Sequence, residues 1–381
     1  MKNFYPSQYQ SDKKFEINHN YLSDQFSDKE VILQKIASVV ESNDFTLGST
    51  VDDVESLIAK EANTQYAVGV GSGTDALFLS LKALGIGPGD EVITCTYTFY
   101  ATIGAIVTAG AKPIFCDCST DYNIDVSQIR NLITSKTKAI VPVHWSGRPC
   151  DMDPLLEIAK EHNLHIVEDA CHALQAEYNG QRCGSFGTTG CFSFHPLKNL
   201  NVWGDGGIIT TNEESLSDRL KLIRNHGLVG RNTCVEFSYN SRLDTIQAVV
   251  AKHLIETRLD NITASRRLNA FTLDSELSKI QDINITPRNN SLKEVFHLYM
   301  FTTPFRDKLV EHLHSFGIDA KIHYPIPMHL QPASKDFGYA LGDFPVAETL
   351  ASQCISLPVH EFVTTKDVNF MIDKVRSFFK V

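Results

Sequence analysis

Several features that mark other classes of protein are missing from this chain of 381 residues. It has no run of about eighteen apolar residues, the length that crosses a bilayer, and its N-terminus MKNFYPSQYQSDKKFEINHN lacks the apolar centre of a signal peptide. It also has no repeat and no low-complexity tract. We therefore expect a soluble cytoplasmic protein with no membrane partner.

Positive charge is scarce as well. The 35 lysine and arginine residues are outnumbered by 45 acidic residues, which gives a formal net charge of -10. A general nucleic-acid binder needs a positive surface to displace counterions from phosphate. The composition therefore argues against a nucleic-acid partner, although local basic residues can still hold one anionic ligand.

Paired cysteine spacings are absent, although the chain contains nine cysteines. Because no CxxC pair occurs, neither a zinc site nor a redox motif is predicted. The odd number and the scattered positions favour buried free thiols in a reducing cytoplasm. These cysteines are Cys95, Cys116, Cys118, Cys150, Cys171, Cys183, Cys191, Cys234 and Cys354.

From Tyr66 onward, the chain alternates short apolar runs with helical patterns. The apolar runs include AVGV, EVITC, KPIFCDC, KAIVPVH and HIVEDA, and the helical patterns include TDALFLSLKAL, ATIGAIVTAG and DPLLEIAKEHN. This rhythm is typical of βαβ units and predicts a largely parallel sheet. GCFSF and GGIITT predict two further strands close together in the sequence, and residues 213–226 predict a helix.

The last third of the chain follows another pattern. About forty residues past Asp244 are helical, and from about Leu298 the segments HLYMFTTP, FRDKLVEHLHSFG and IDAKIHYPIP predict strand, helix and strand, before a closing helix near 365–379. Residues 1–30 are polar and predict an N-terminal arm. We therefore expect a large α/β domain over 31–245, and a linker helix with a smaller α+β domain over 246–381.

The segment VGVGSGTDALFLSLKAL places a glycine-rich turn between a strand and a helix. Backbone N–H groups and the helix dipole at Gly71, Ser72, Gly73 and Thr74 favour a bound anion. The alternative is a tight turn capped by Thr74 or Ser72. The segment is not a P-loop, because it lacks the GK[ST] ending.

Two later residues carry possible chemistry. Asp169 ends the predicted strand HIVEDA, where ligands of open α/β sheets bind, although it could equally cap the next helix. Lys198 lies between two predicted strands, and enclosure among apolar side chains would lower its pKa and let it form a Schiff base. Most lysines are surface charges, so neither residue is diagnostic alone.

The combination is more informative than its parts. An anion-binding turn, an aspartate at a strand end and an enclosed lysine are the three groups that pyridoxal 5'-phosphate (PLP) requires of a protein. They would serve as phosphate clamp, partner of the pyridine nitrogen and Schiff-base lysine. The sequence therefore predicts PLP as the cofactor.

The ordered motifs resemble those of the DegT/StrS family of sugar aminotransferases, which belong to PLP fold type I. The resemblance runs from FTLGSTVDDVE at 45–55 through SGTDAL, GPGDEVIT, VEDACHAL, FSFHPLKNLNVWGDGG, RNHG and YNSRLDTIQA to IHYPIPMHLQP at 322–332. It covers nearly the whole chain. It implies a mostly parallel, seven-stranded sheet between helices, followed by a smaller C-terminal α+β domain.

The resemblance also implies roles for the residues already named. Lys198 matches the family's Schiff-base lysine and Asp169 the partner of the pyridine nitrogen. Gly73, Thr74 and Ser193 match its phosphate ligands.

Further cofactor contacts follow from the same motifs. Phe99, in TYTFYAT, matches a ring that stacks on the cofactor, although a core aromatic is the alternative. Asn240, in YNSRLD, matches an asparagine that reaches the PLP of the neighbouring subunit, so a homodimer with shared active sites is implied; a turn asparagine is the alternative. His172 stands where many relatives have Gln, and it is either a cofactor contact or a core histidine.

The segment IHYPIPMHLQP approaches the sugar-nucleotide site in the family. It makes His323, Tyr324 and His329 candidates for substrate binding. The prolines of the segment could instead stiffen a loop that has no ligand.

The resemblance implies transfer of an amino group from an amino acid, usually glutamate, to a nucleotide-linked keto-sugar. NSRLD in place of NYRM is similar to relatives that act on 3-keto sugars. One alternative is the related PLP-dependent sugar 3-dehydratase, which replaces the lysine with histidine, whereas Lys198 is present here. The other is a non-catalytic regulator that binds PLP or a sugar nucleotide.

Overall fold

The computed structural model describes residues 15–19 and 21–380. Fourteen short strands are distributed along the described residues, and half of them belong to one central sheet. In chain order they are β1 Tyr66–Val70, β2 Glu91–Cys95, β3 Lys112–Cys116, β4 Thr137–Val141, β5 His165–Asp169, β6 Glu177–Tyr178, β7 Gln181–Arg182, β8 Thr189–Ser193, β9 Gly207–Thr211, β10 Leu228–Gly230, β11 Thr233–Cys234, β12 Leu292–Lys293, β13 Tyr299–Thr302 and β14 Cys354–Leu357.

Helices connect these strands and cover the sheet. Among the described residues, no helix is both long enough and apolar enough to cross a membrane. In chain order the helices are α1 Leu22–Gln25, α2 Lys29–Ser42, α3 Ser49–Ala62, α4 Gly73–Ala83, α5 Tyr100–Ala109, α6 Val126–Leu132, α7 Met152–His162, α8 Glu214–Ile223, α9 Thr245–Thr257, α10 Leu259–Leu277, α11 Arg306–Ser315, α12 Pro345–Gln353 and α13 Thr365–Phe379.

The central sheet has seven strands in the order β1-β9-β8-β5-β4-β2-β3. The strands from β8 to β3 run parallel to their neighbours, whereas β9 is antiparallel to both β1 and β8. The prediction of a mostly parallel, seven-stranded sheet is therefore confirmed. β8 and β9 are the two strands expected from GCFSF and GGIITT.

Both faces of the sheet are buried, which explains why its strands are apolar along their length. Neighbouring residues of a strand point to opposite faces, so Val92 and Val167 pack with α4, α5 and α8. Ile93 and Ile166 pack with α6 and α7 on the other face. The side chains thus hold the sheet between two layers of helices.

The smaller domain packs the antiparallel pair β13 and β14 against α10, α11 and α13 around its own apolar core. The predicted helical stretch past Asp244 consists of α9 and α10, which are separated at Arg258. The prediction of a strand over IDAKIHYPIP was wrong. Only Lys321 of that segment pairs with β14, at Ser356, and Pro325 and Pro327 have no N–H group with which to continue a ladder.

Part of the predicted N-terminal arm, residues 1–14 and Asn20, lies outside the described residues. The described part contacts the smaller domain, where Ile17 pairs in parallel with Ile318. Helix α2 begins at Lys29. The domain boundaries near residues 30 and 245 stay predictions.

The nine cysteines are free thiols. Seven are buried and Cys171 is half-buried, but Cys234 is exposed in β11. The expectation of buried thiols was therefore wrong for Cys234, which lies in a hairpin that projects from the large domain.

Glu168 fixes the end of β5. The side chain is fully buried, and its carboxylate accepts three backbone hydrogen bonds of 2.7–2.8 Å from the turn 184–187. It also accepts a bond of 3.0 Å from Nε2 of His144, whose Nδ1 accepts the N–H of Cys150. Four donors thus compensate the buried charge one residue before Asp169.

We predict that Glu168→Ala lowers the free energy of unfolding by about 3–5 kcal/mol, because it removes a buried acceptor and leaves its donors unpaired. Urea denaturation of the PLP-free protein measures this change. Glu157→Ala, on the exposed side of α7, is the matched control and should stay within about 0.5 kcal/mol of the wild type. Equal midpoints for the two variants would contradict the role given to Glu168.

Candidate active site

The candidate residues meet at one edge of the central sheet. Asp169 is the last residue of β5 and Ser193 is the last residue of β8, and these strands are parallel neighbours. Gly73 begins α4 directly after β1, and Phe99 is the N-cap of α5 after β2. The site therefore lies at the carboxyl ends of the strands, where open α/β sheets bind ligands.

Lys198 lies in the loop between β8 and β9. Its backbone N–H donates to the carbonyl of His195 at 2.8 Å, and this bond closes a tight turn over residues 195–198. Burial lowers the pKa of Lys198 below its ordinary value, and the nearby Cys171 and Asp169 oppose that shift only in part. A lysine of this kind is unprotonated more often at neutral pH and is therefore a better nucleophile.

Asp169 is almost fully buried, and its carboxylate is held on both oxygens. The hydroxyl of Thr102 donates to Oδ2 at 2.8 Å, and the backbone N–H of Cys171 donates to Oδ1 at 3.3 Å. Thr102 in turn contacts the hydroxyl of Thr98 at 2.8 Å. These bonds fix the orientation of the carboxylate.

The start of α4 leaves room for an anion. Ser72 caps the helix by accepting the N–H of Asp75 at 3.0 Å, so the capping role belongs to Ser72 and not to Thr74. The N–H groups of Gly73 and Thr74 donate no hydrogen bond within the described residues. A Cβ on Gly73 would lie 2.6 Å from Cβ of Ser193, so only glycine fits beside that hydroxyl.

A small pocket, partly open to solvent, lies beside Lys198 and Ser193. Lys198, Ser193, Cys171 and His172 all line it. The lysine and three residues from two other segments therefore face one space.

Histidine rings form part of the surroundings of this space. The ring of His172 lies 4.2 Å from that of His297 and 5.1 Å from that of Trp145. Burial lowers the pKa of His172 well below its ordinary value, and Lys198 and His323 act in the same direction. Burial has the same effect on the pKa of His297. Both rings are therefore uncharged at neutral pH.

His323 and Tyr324 approach the site from the smaller domain. Nδ1 of His323 contacts the hydroxyl of Ser356 at 2.8 Å, and burial lowers the pKa of His323 to about 4. The ring of Tyr324 lies 5.7 Å from Phe99 and 5.6 Å from Trp145. Phe99 itself is 41% exposed, so its ring is available to a ligand and is not a core aromatic.

Two predicted residues lie apart from this group within the described part of the chain. His329 is buried, with Nε2 3.0 Å from Oε1 of Glu348 and its ring 4.7 Å from Phe344, a geometry that favours a structural role. Asn240 is exposed and pairs only with Asn225. A substrate contact for His329 and a cofactor contact for Asn240 stay predictions.

Sequence reasoning missed several residues that support the site. Thr102 holds Asp169, and a local signal existed, because Thr102 lies in the first turn of the predicted helix that follows TYT, at the same edge of the sheet as Asp169. His297 and Trp145 contact His172 from distant parts of the chain, and no local pattern indicated either one.

A buried lysine with a lowered pKa, a fixed carboxylate and an anion-binding helix start match the aldehyde, pyridine nitrogen and phosphate of PLP. The protein is a PLP-dependent aminotransferase of the α/β class. The chain belongs to the DegT/DnrJ/EryC1/StrS aminotransferase family, whose model matches residues 27–376.

Named relatives and a solved structure agree with this family. The chain is 39% identical over 363 residues to the "Pleiotropic regulatory protein" of Geobacillus stearothermophilus, covering 94% of this chain and 97% of the relative. It is 39% identical over 344 residues to the "dTDP-3-amino-3,4,6-trideoxy-alpha-D-glucose transaminase" of Streptomyces venezuelae, covering 90% of each. The structure of S. venezuelae DesV in complex with a ketimine intermediate has a TM-score of 0.93 and 36% identity, covering 97% of this chain and 100% of that chain.

The residues present fit the cofactor. When bound, PLP supplies an electrophilic aldehyde and a ring that accepts electrons. Gly73, Thr74 and Ser193 would hold its phosphate, Asp169 its ring nitrogen and Lys198 its aldehyde carbon. The buried Nδ1 of His172, which has no partner within the described residues, is a further polar atom free to meet the ring.

We predict that Asp169→Asn cuts turnover by about 100-fold or more, because the fixed negative charge that keeps the ring nitrogen protonated is lost. Thr102→Val should give a smaller loss, since it removes one hydrogen bond and keeps the charge. Steady-state turnover measures both. Asp218→Asn, an exposed residue of α8, is the control, and activity near the wild-type level in Asp169→Asn would refute the assignment.

Proposed function

We propose that the protein transfers an amino group from an amino acid donor, glutamate, to a nucleotide-linked keto-sugar, with a 3-keto sugar preferred over a 4-keto sugar. The observation that carries the proposal is the enclosed Lys198, with its lowered pKa, beside Asp169. The product would be an amino sugar for a surface polysaccharide or related glycan. The NSRLD motif and the name of the S. venezuelae transaminase support the 3-keto preference.

The side chains of the site divide the chemical work. Lys198 can release and take back a proton at Nζ more readily than an exposed lysine, because burial lowers its pKa. Asp169 would keep the ring nitrogen of bound PLP protonated. The N–H groups at the start of α4 bind a phosphate dianion without requiring a side-chain cation.

The histidines support a sugar as acceptor. Buried rings with lowered pKa values, such as His172, His297 and His323, are neutral donors and acceptors of hydrogen bonds. Such groups suit the hydroxyls of a sugar. Tyr324 adds one more hydroxyl to this wall.

Two other functions rank lower. The 3-dehydratases of the family replace the Schiff-base lysine with histidine, whereas Lys198 is retained here. A regulator without catalysis agrees with the name of the G. stearothermophilus relative. However, a binding protein has no need for a lysine of lowered pKa beside a fixed carboxylate, so catalysis is favoured.

A homodimer with shared sites is part of the proposal. The hairpin of β10 and β11 and the residues after it expose Val229, Val235 and Phe237, the last of them 102% exposed. Exposed apolar side chains grouped on one projection are typical of an interface. Asn240 follows this projection directly, so docking of a second copy there would bring Asn240 to the other subunit.

We predict that glutamate converts the cofactor of the PLP-loaded wild-type protein to its pyridoxamine form, seen as a change in the visible spectrum, and that Lys198→Ala does not complete this conversion. Lys198→Ala should also lose all measurable transfer to a panel of dTDP- and UDP-linked 3-keto and 4-keto sugars, followed by mass spectrometry of the aminated product. Lys221→Ala, an exposed lysine of α8, is the matched control. Substantial turnover by Lys198→Ala would sink the proposal, and a spectrum unaffected by any amino acid in the wild type would favour the regulator.

A mixed dimer tests the shared site. If Asn240 serves the partner's cofactor, a hybrid of Lys198→Ala and Asn240→Ala chains has one site with both defects and one site with neither. We predict that activity recovers on co-expression. Asn240→Ala alone should weaken PLP retention by about tenfold to a hundredfold, which corresponds to one hydrogen bond to an ionised group.

This experiment is best run at limiting PLP, where Asn240→Ala by itself is clearly impaired. Each variant made alone is the control. Lack of recovery, with hybrids shown to form by differently tagged chains, would assign Asn240 to its own chain's site or to no site.

A further inference from the structure

Residues 15–19 and Tyr21, named here the N-terminal strap, bind the smaller domain and reach the active-site loop. The N–H groups of Glu16 and Ile17 donate to the carbonyl of Gly317 at 2.8 and 3.0 Å. Ile17 accepts the N–H of Asp319 at 2.9 Å, and His19 donates its N–H to the carboxylate of Asp319 at 3.1 Å. The strap is therefore fixed to one edge of the smaller domain.

Tyr21 connects this strap to the reactive lysine. Its hydroxyl lies 3.1 Å from the carbonyl oxygen of Lys198 and 2.8 Å from Nη2 of Arg266. Because the guanidinium can only donate, Tyr21 accepts from Arg266 and donates to Lys198. Burial raises the pKa of Tyr21 to about 12, so this donor keeps its proton. The ring stacks on His360 at 4.5 Å.

Arg266 is the centre of the arrangement. It lies on α10, the helix that joins the domains, and is 2% exposed. Its Nη1 donates to the carbonyls of Phe296 and His297 at 3.1 and 3.3 Å, and Nε lies 3.5 Å from Oε2 of Glu361. The carboxylate of Glu361 is buried and accepts no hydrogen bond within the described residues, so Arg266 is the charge that compensates it.

These contacts reach two walls of the active site. Through Tyr21, Arg266 holds the backbone of Lys198. Through the carbonyl of His297, it holds the residue whose ring lies 4.2 Å from His172. The same guanidinium therefore connects the loop of Lys198, through Tyr21, with the backbone of His297, and Glu361 and His360 connect this arrangement to the smaller domain.

We propose that Tyr21 and Arg266 are positioning residues that tether Lys198 to the smaller domain and so hold its amine in reacting position. The inference rests on the proposed function only in taking Lys198 as the reactive amine. Neither residue matches a catalytic motif in the sequence. Tyr21 contacts the main-chain carbonyl of Lys198, and Arg266 contacts Tyr21. Both residues therefore affect the position of the amine without contacting the reacting atoms.

Tyr21→Phe tests the tether with the smallest change. It keeps the ring on His360 and beside Arg266 but removes the hydroxyl that bonds Lys198. We expect kcat to fall roughly tenfold, while KM for the sugar changes by less than about threefold. Arg266→Lys should change kcat in the same direction and more strongly, because a lysine cannot make all of these bonds.

A second measurement uses the PLP-free protein and needs no substrate. The rate at which an amine-selective reagent modifies Lys198, followed by peptide mass spectrometry across a pH series, reports the pKa of its amine. In Tyr21→Phe this pKa should rise by about half a pH unit or more toward the ordinary value, because a lysine released from its tether reaches more water.

Tyr299→Phe is the matched control. Tyr299 is also buried, and its hydroxyl bonds Asp274 at 2.9 Å in the smaller domain without contacting Lys198. It should match Tyr21→Phe in loss of thermal stability but leave kcat and the titration of Lys198 unchanged. The proposal is overturned if Tyr21→Phe keeps both wild-type values, or if the two variants lose activity in parallel.

The two proposals fail in different ways. If the proposed sugar or donor is wrong, turnover cannot be measured, but the titration of Lys198 in Tyr21→Phe still supports or refutes the tether. If Lys198→Ala keeps its turnover, the proposed function fails regardless of Tyr21.

Discussion

Burying Lys198 beside Asp169 places two opposing demands on this protein. Enclosure must lower the pKa of the lysine, whereas the aspartate must carry a negative charge in the same surroundings. The site separates these demands by giving the carboxylate hydrogen bonds from Thr102 and Cys171 and giving the amine none within the described residues. Glu168 fixes the end of β5 beside Asp169, and Gly73 lets α4 begin close to Ser193.

The sequence allowed the sheet and the centre of the site to be predicted, because both depend on local patterns. Doubly buried parallel strands are apolar throughout, and the helices between them have a periodicity of their own. Asp169 and Lys198 stand next to such strands, so their place at the edge of the sheet follows from the topology. The phosphate turn was predicted for the same reason, and the structure adds that Ser72, not Thr74, caps α4.

What could not be predicted depends on contacts between distant residues. Tyr21 meets Arg266, and His172 meets His297, with no spacing rule that joins either pair. IDAKIHYPIP has the composition of a strand, yet its prolines cannot continue a ladder and β14 forms its extended pairing with β13, so the segment pairs with β14 at Lys321 alone. His329 shows the same limit, since a histidine in a motif looks identical whether it faces a ligand or Glu348.

The position of β9 has a consequence for how the protein is made on the ribosome. Among the described residues β1 is the first strand to be synthesised, and its one neighbour in the sheet is β9, with Tyr66 opposite Thr211. Until Thr211 has left the exit tunnel, β1 therefore has no strand with which to pair. The nascent large domain therefore assembles its phosphate-binding corner last, with the strands from β2 to β5 able to pair beforehand.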